Sequence, residues 1–275
     1  MFEEEKFCAK PFLKWAGGKS NLLSDLVKIA PTAYDKYIEP FLGGGALFFG
    51  LCPDNAVISD LNSELINCYR VVRDNLDELV EKLKEMPVSK ELFYFQRGLD
   101  IEELSEVQRA ARFIYLNKTC YNGLYRVNMK GKFNTPFGKN TSVNICNYEV
   151  LHKASLALKG SKEIIVGDFE DVLIEHAKKE DFVYLDPPYP SVGIYSDFKR
   201  YTKQFFNEDQ HHRLSKVVKT LDNKGCKFIL SYASHEFVNQ LYPEFRKIDV
   251  QAPRFINCRG NKRGNVSEII VTNIE

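Results

Sequence analysis

Two short apolar runs, 37–41 (YIEPF) and 56–60 (AVISD), flank a triple glycine, Gly43 to Gly45, and a helix-patterned ALFF at 46–49. A strand, a glycine turn, a helix and a second strand ending in an acid make a βαβ opening, which narrows the fold to the α/β class. A helical segment follows at 64–73. From about residue 75 to 116 apolar side chains recur at helical spacing, as at Leu104, Val107, Ala111 and Ile114, with no strand alternation. Strand patterns resume at 163–167, 182–185, 227–231 and 268–272, with helices predicted over 170–179, 208–222 and 235–242. The pattern predicts an α/β sheet interrupted once, and 275 residues suffice for one large domain carrying such an insert.

The interruption is also where the charge lies. The chain's net charge is only +1, yet no acid occurs between Arg109 and Tyr148, where Arg109, Arg112, Lys118, Arg126, Lys130, Lys132 and Lys139 stand among six aromatic rings, Phe113 to Phe137. A solvated face is the bland reading of such a run, but basic residues mixed with rings favour a polyanion with flat bases. A second basic block spans 254–267, with Arg259, Lys262 and Arg263. The acidic start lacks an apolar leader and no later run is long enough to span a membrane, so the expected location is the cytoplasm. Seven cysteines without a CxxC pair indicate neither a zinc site nor a disulfide framework, and reduced thiols are expected. His211 and His212 read as structural or surface residues.

Glycines at a strand-to-helix turn permit positive φ and close backbone approach to a ligand. Phe48 stands where a dinucleotide fingerprint has its third glycine, and no Gly-Lys-Ser/Thr follows to make a phosphate loop. Asp60, at the end of the next strand, can accept hydrogen bonds from a ribose diol, so a nucleoside without phosphates fits best. A purely structural turn with a helix cap is the competing reading. Upstream, 12–20 (FLKWAGGKS) holds the only Trp, Trp15, and Lys19 behind two glycines, an arrangement suited to gripping a carboxylate near a helix start.

The most unusual stretch is YLDPPYP at 184–190. Pro187 holds Asp186 extended at its strand's end, facing the crevice where α/β sheets bind ligands. Neither proline has an N–H, which leaves the surface rich in acceptors. Asp186, the Pro187 carbonyl and the Tyr189 ring together suit an exocyclic amine on a flat base, which offers two N–H bonds and a face for stacking. Those bonds turn the nitrogen lone pair toward an electrophile and stabilise the positive charge that develops on it.

In order along the chain, FLKWAGGKS (12–20), YIEPFLGGGALFF (37–49), ISDLNSELINCYR (58–70), CYNGLYRVNMKGKFNTPFGK (120–139), VGDF (166–169), YLDPPY (184–189) and SEIIVTN (267–273) make the chain resemble a Dam-type DNA adenine-N6 methyltransferase, the α group of the D12 class. The resemblance implies a Rossmann-like S-adenosylmethionine-dependent methyltransferase sheet built from 1–70 and 150–275, with an inserted, mainly helical target-recognition subdomain over 71–149. It implies S-adenosyl-L-methionine as methyl donor, no metal, and double-stranded DNA with the target adenine flipped out. By matching position, Trp15 and Lys19 would contact the methionine part of the cofactor, Asp60 its ribose, and Asp168 and Phe169 its adenine. Phe41, Gly43 and Gly45 complete that loop, and Asp186, Pro187, Pro188 and Tyr189 form the catalytic motif. Tyr121 would fill space near the extruded base's partner, while Arg126 would read a guanine edge in the major groove. Asn122, Leu124 and Asn128 belong to the same DNA-facing segment, and Lys118, Lys130, Lys132 and Lys139 would contact phosphates. A companion restriction endonuclease acting on the same site is a further partner to look for.

One departure bears on the target. After PFG the Dam pattern runs on as RYKxP, whereas this chain reads KNTSVN at 139–144, so a GATC site is not implied. The residues alone also suit an N4-cytosine methyltransferase, whose amine needs the same two acceptors. Methylation of an amide or an RNA base, and a non-catalytic DNA-binding protein of the same fold, are the other readings. C5-cytosine chemistry needs a cysteine nucleophile, and no Cys follows a Pro here.

Overall fold

The computed structural model describes residues 8–139, 142–189, 206–233, 236–253 and 265–275. Among these residues seven strands form one sheet in the order β3-β2-β1-β4-β5-β7-β6. They are β1 (Tyr37–Glu39), β2 (Ala56–Asp60), β3 (Ser161–Val166), β4 (Phe182–Leu185), β5 (Lys227–Ala233), β6 (Arg246–Pro253) and β7 (Asn265–Thr272). The first five run parallel, and β7 lies antiparallel between β5 and β6. β1, β2 and β4 are almost wholly buried, as strands covered on both faces must be.

Alternate strand residues face two separate cores. Tyr37, Ile58, Tyr184 and Ile229 point to one side, packed with the first seven helices. Ile38, Val57, Val183, Leu185, Phe228 and Leu230 point to the other, against the last three. The first set of helices comprises α1 (Leu23–Ile29), α2 (Ala46–Leu51), α3 (Ser63–Asp74), α4 (Leu76–Lys84), α5 (Lys90–Gly98), α6 (Glu106–Thr119) and α7 (Tyr148–Leu158). The second comprises α8 (Phe169–His176), α9 (Glu208–Asn223) and α10 (Glu236–Leu241). The expected α/β sheet with a single interruption is present. No helix among the described residues is long and apolar enough to cross a membrane.

The interruption lies between β2 and β3, and α3, α4, α5, α6 and α7 fill it. A cut at 70/71 falls inside α3 and one at 149/150 inside α7, because α3 packs on β2 and β3 of the sheet as well as on α6 and α7. α6 begins with a reciprocal cap, in which the Ser105 hydroxyl accepts from the Gln108 N–H and the Gln108 side chain accepts from the Ser105 N–H. Beyond α6 the chain forms a loop folded on two isolated bridges, Cys120 with Phe137 and Val127 with Phe133.

Two basic residues of the insert serve the fold. Arg112 is buried and donates to the carbonyls of Gln96 and Arg97, satisfying the last turn of α5, and Arg109 pairs with Glu64 across α3 and α6. The second basic block lies outside the described residues except for 265–267.

Three kinds of feature differ from the sequence reading: two helices, a strand and a disulfide. α1, α7 and β6 were not predicted. β6 is an edge strand carrying Lys247, Asp249 and Gln251 between Ile248 and Val250, the polar dressing that keeps edges from pairing with other chains and that also dilutes a strand signal. The third difference is a disulfide joining Cys8 to Cys52, with Cα atoms 6.3 Å apart, in place of two reduced thiols. Only the return of the N-terminal segment onto α2, where the Ala9 N–H donates to the Phe49 carbonyl at 3.1 Å, brings them together, and spacing carries no sign of that.

Candidate active site

The chain leaves β1 toward β2 and β3 on one side, then returns to place β4 on the other. A sheet opens a crevice at such a reversal, beyond the carboxyl ends of its strands. The glycine turn after β1 and Asp186 after β4 therefore meet at one edge.

Leu185 closes β4, and Asp186 stands in the next position with Pro187 behind it. Lys19, only 4% exposed, donates from Nζ to Asp186 Oδ1 at 2.7 Å and to the Gly17 carbonyl at 2.8 Å. Burial raises the Asp186 carboxyl to about 6, against the pull of Lys19, and the neighbouring Glu268 adds to the rise. Tyr189 lies in the same cluster, its hydroxyl donating to Glu268 Oε2 at 2.8 Å and its ring centroid 4.8 Å from Lys19 Nζ. Pro187 is buried and Pro188 exposed. Beneath the cluster, fully buried Glu39 accepts from Tyr37 at 2.7 Å, and burial holds its carboxyl well above the usual range.

The glycine turn has a steric reason. Gly43 and Gly45 sit at φ +47° and +67°, a region that costs other residues roughly 1–2 kcal/mol. A Cβ on Gly43 would lie 2.7 Å from Cδ1 of Trp15, so the indole rests directly on the turn. Asp60 tightens it from below, accepting from the Gly43 N–H at 3.0 Å and the Asn62 N–H at 2.9 Å, while Tyr69 donates to the Gly43 carbonyl. Burial raises the Asp60 carboxyl against these bonds.

A third group stands where β3 ends. Asp168 caps α8 by accepting from the Glu170 N–H, and Phe169 stacks on Phe41 with centroids 5.2 Å apart. Arg213 of α9 pairs with both Asp168 and Glu170 and lies 4.6 Å over the Phe169 ring. Sequence reasoning missed Arg213 because it arrives from a helix remote along the chain.

The insert joins these groups through its rings and one amide. Trp15 stacks on Tyr125 at 5.4 Å, and Tyr125 packs on Phe113 at 4.8 Å. Asn117, fully buried near the end of α6, accepts from the Lys14 N–H at 2.9 Å and donates to the Lys14 carbonyl at 2.7 Å. This bidentate clamp fixes the segment carrying Trp15 and Lys19, and nothing in the local sequence flags it.

The DNA-facing candidates divide in two. Lys118, Lys139, Tyr121 and Asn122 line a cleft of about 360 Å³ together with Lys14, a lysine absent from the predicted set although it adjoins Trp15. Tyr121 is exposed, and burial beside Lys14 lowers the Lys118 ammonium. Leu124 and Asn122 border a second cleft of about 510 Å³ that runs past Trp15 and Gly44. The remaining candidates stand on the loop around the Val127–Phe133 bridge. Arg126 donates from Nε to Asn134 at 2.8 Å, and Asn128 spends its side-chain oxygen on the N–H groups of Lys130 and Lys132. The side chains of Lys130 and Lys132 are exposed.

Comparisons with known proteins place this site in context. Residues 15–256 match the family model of the D12 class N6 adenine-specific DNA methyltransferases. A type II methyltransferase of Lactococcus lactis subsp. cremoris is 41% identical over 99% of this chain and 98% of its own. One from Methanocaldococcus jannaschii is 42% identical over 96% and 99%. The DNA adenine methylase of Escherichia coli K12 is 29% identical over 95% and 94%. With a family match across most of its length and relatives covered nearly end to end, the chain belongs to the D12 class of N6 adenine-specific DNA methyltransferases.

Proposed function

We propose that the edge between β1 and β4 is where this DNA adenine methyltransferase carries out transfer, with Asp186, the Pro187 carbonyl and the Tyr189 ring holding the target adenine. The observation that carries this reading is the meeting of Asp186 with Lys19 at 2.7 Å beside the glycine turn. Lys19 occupies Oδ1, which leaves Oδ2 of Asp186 and the Pro187 carbonyl as two acceptors for the two N–H bonds of an exocyclic amine. Both bonds strengthen as positive charge grows on nitrogen, so they act on the transition state more than on binding. A base can reach these acceptors only if it leaves the duplex stack.

The residues around the turn suit S-adenosyl-L-methionine in character: backbone N–H groups and an acid for a nucleoside, and nearby carboxylates for a cationic sulfur. Asp60, Gly43 and Gly45 would hold its ribose side, Asp168, Phe169 and Phe41 its adenine, and Trp15 and Lys19 its amino-acid end. When bound it supplies a methyl carbon on a sulfonium, so that a nitrogen–carbon bond forms as the sulfur–carbon bond breaks and the amine then sheds a proton. No metal is required for this transfer.

The helical insert and its loop, over about 71–149, form the target-recognition part in this reading, with duplex DNA as the partner. The expected place of action is the cytoplasm. The type II names of two relatives support a role in protecting a site from a companion endonuclease. The direct test is Asp186→Ala, with methyl transfer followed by radiolabel and the product base identified. Loss of a transition-state acceptor costs on the order of 10²–10³ in rate. DNA affinity should remain near wild type, and wild-type turnover in this variant would remove Asp186 from the mechanism.

A further inference from the structure

We propose that Glu268 is a positioning residue of the active site, fixing the Tyr189 ring through its hydroxyl and sharing Lys19 with Asp186. The inference rests on the reading of Tyr189 as the surface on which the target base stacks. It starts from topology. The parallel strands end at the crevice, but β7 runs the other way, so its beginning lies at that same edge, and Glu268 pairs with Ala233 where β5 finishes. Its side chain is only 14% exposed. The carboxylate does two things there: Oε2 accepts from the Tyr189 hydroxyl at 2.8 Å, and it lies 3.9 Å from Lys19 Nζ.

The geometry gives each contact a consequence. Tyr189 follows a diproline, and its ring stands 6.0 Å from Tyr232 at an interplanar angle of 35°, too loose a stack to set its plane. A charge-assisted bond from the phenol to a strand-borne carboxylate does set it, because β7 is held on both sides by β5 and β6. Stacking surfaces need orientation within about 10–20° to be productive, and this bond supplies that constraint. Lys19 is flanked by Asp186 at 2.7 Å and Glu268 at 3.9 Å, so one ammonium is divided between two acids. The pair leaves local negative charge where a sulfonium and a developing ammonium must be stabilised.

A purely structural acid on β7 would behave differently from a positioning one, which makes the idea testable by kinetics on the full-length enzyme. Glu268→Ala removes the acceptor, Glu268→Gln keeps an acceptor without charge, and Tyr189→Phe removes the donor alone. Losing one oriented hydrogen bond should lower kcat about three- to tenfold in Glu268→Ala, with the cofactor KM within about twofold. Glu268→Gln should recover the part of that loss that belongs to the hydrogen bond and not the part that belongs to the charge. Combined with Tyr189→Phe, Glu268→Ala should add little, since both cut the same bond.

The acid limb of the pH profile supplies a second readout. Asp186 is faced by Lys19, Glu268, Tyr184, Tyr189 and Glu39, and of these Glu268 pushes its carboxyl upward. The limb should therefore move to lower pH in Glu268→Gln. Wild-type kcat in Glu268→Ala, or losses that multiply in full in the double variant, would overturn the proposal. Should Glu268→Ala fail to fold, an unmoved acid limb in Glu268→Gln would overturn it instead. Inactive Asp186→Ala beside fully active Glu268→Ala sinks this inference alone, whereas active Asp186→Ala sinks the reading beneath it.

Discussion

In the proposed role Asp186 accepts from Lys19 on one oxygen and from an amine on the other, which calls for the ionised carboxylate, and burial works against that. Its carboxyl is raised to about 6, far above an ordinary aspartate, even with Lys19 at 2.7 Å. The sign for activity follows directly. Below pH 6 the group is mostly protonated, a carboxyl O–H replaces an acceptor, and turnover falls. Above pH 6 the acceptor is present and this group imposes no further dependence. A profile of single-turnover rate against pH should rise with unit slope to a plateau, with its midpoint near 6, and flat activity down to pH 5 would contradict the assignment. The location of Asp186 was legible from its own neighbours, since apolar residues, an acid and two prolines in a row can only describe a strand tip held extended. Arg213 was not, and Glu268 stood inside the matching SEIIVTN segment with no role attached to it. Each reaches the site from an element far along the chain, and neither the helix around Arg213 nor the apolar strand after Glu268 carries a local sign of chemistry.

At the scale of elements, the glycine turn shows how much a short motif can specify. Three glycines between a strand and a helix indicated a tight left-handed turn, and Gly43 and Gly45 adopt positive φ. What spacing could not convey was the reason for Gly43, which is the indole of Trp15 from a segment before β1. Gly43→Ala therefore meets two obstacles: a backbone cost of about 1–2 kcal/mol and a side-chain collision at 2.7 Å. Because Trp15 also stacks on Tyr125 of the insert, the indole cannot retreat freely. The expected outcome is a folded protein whose affinity for S-adenosyl-L-methionine, measured by calorimetry without DNA, falls about tenfold or more. Unchanged cofactor affinity would mean that the turn is only a chain reversal. Two of the elements that escaped the sequence reading, α1 and β6, share a physical cause: α1 is short and β6 is a polar edge, so neither carries a sustained apolar period.

For the molecule as a whole, a net charge of +1 conceals a divided surface, and the structure divides it further than the sequence did. Arg109 and Arg112 are consumed in ion pairing and helix capping, which leaves the lysines as the candidates for contact with DNA. Lys14, Lys118 and Lys139 converge on one cleft although they come from three separate segments. Such a cluster should act through counterion release, with log affinity for duplex DNA falling with log salt by about 0.9 for each phosphate neutralised. Replacing any one of the three by Ala should reduce that slope by about one and weaken binding equally across duplex sequences. Arg126 should behave oppositely: its guanidinium is already held by Asn134, and Arg126→Ala should leave the salt slope nearly intact while discrimination at one base pair drops by about 1–3 kcal/mol. Titrations of a duplex library at several salt concentrations measure both quantities together. If Arg126→Ala lowers the slope and spares sequence preference, its role is that of another phosphate contact, and the specificity of the insert has to come from residues other than this arginine.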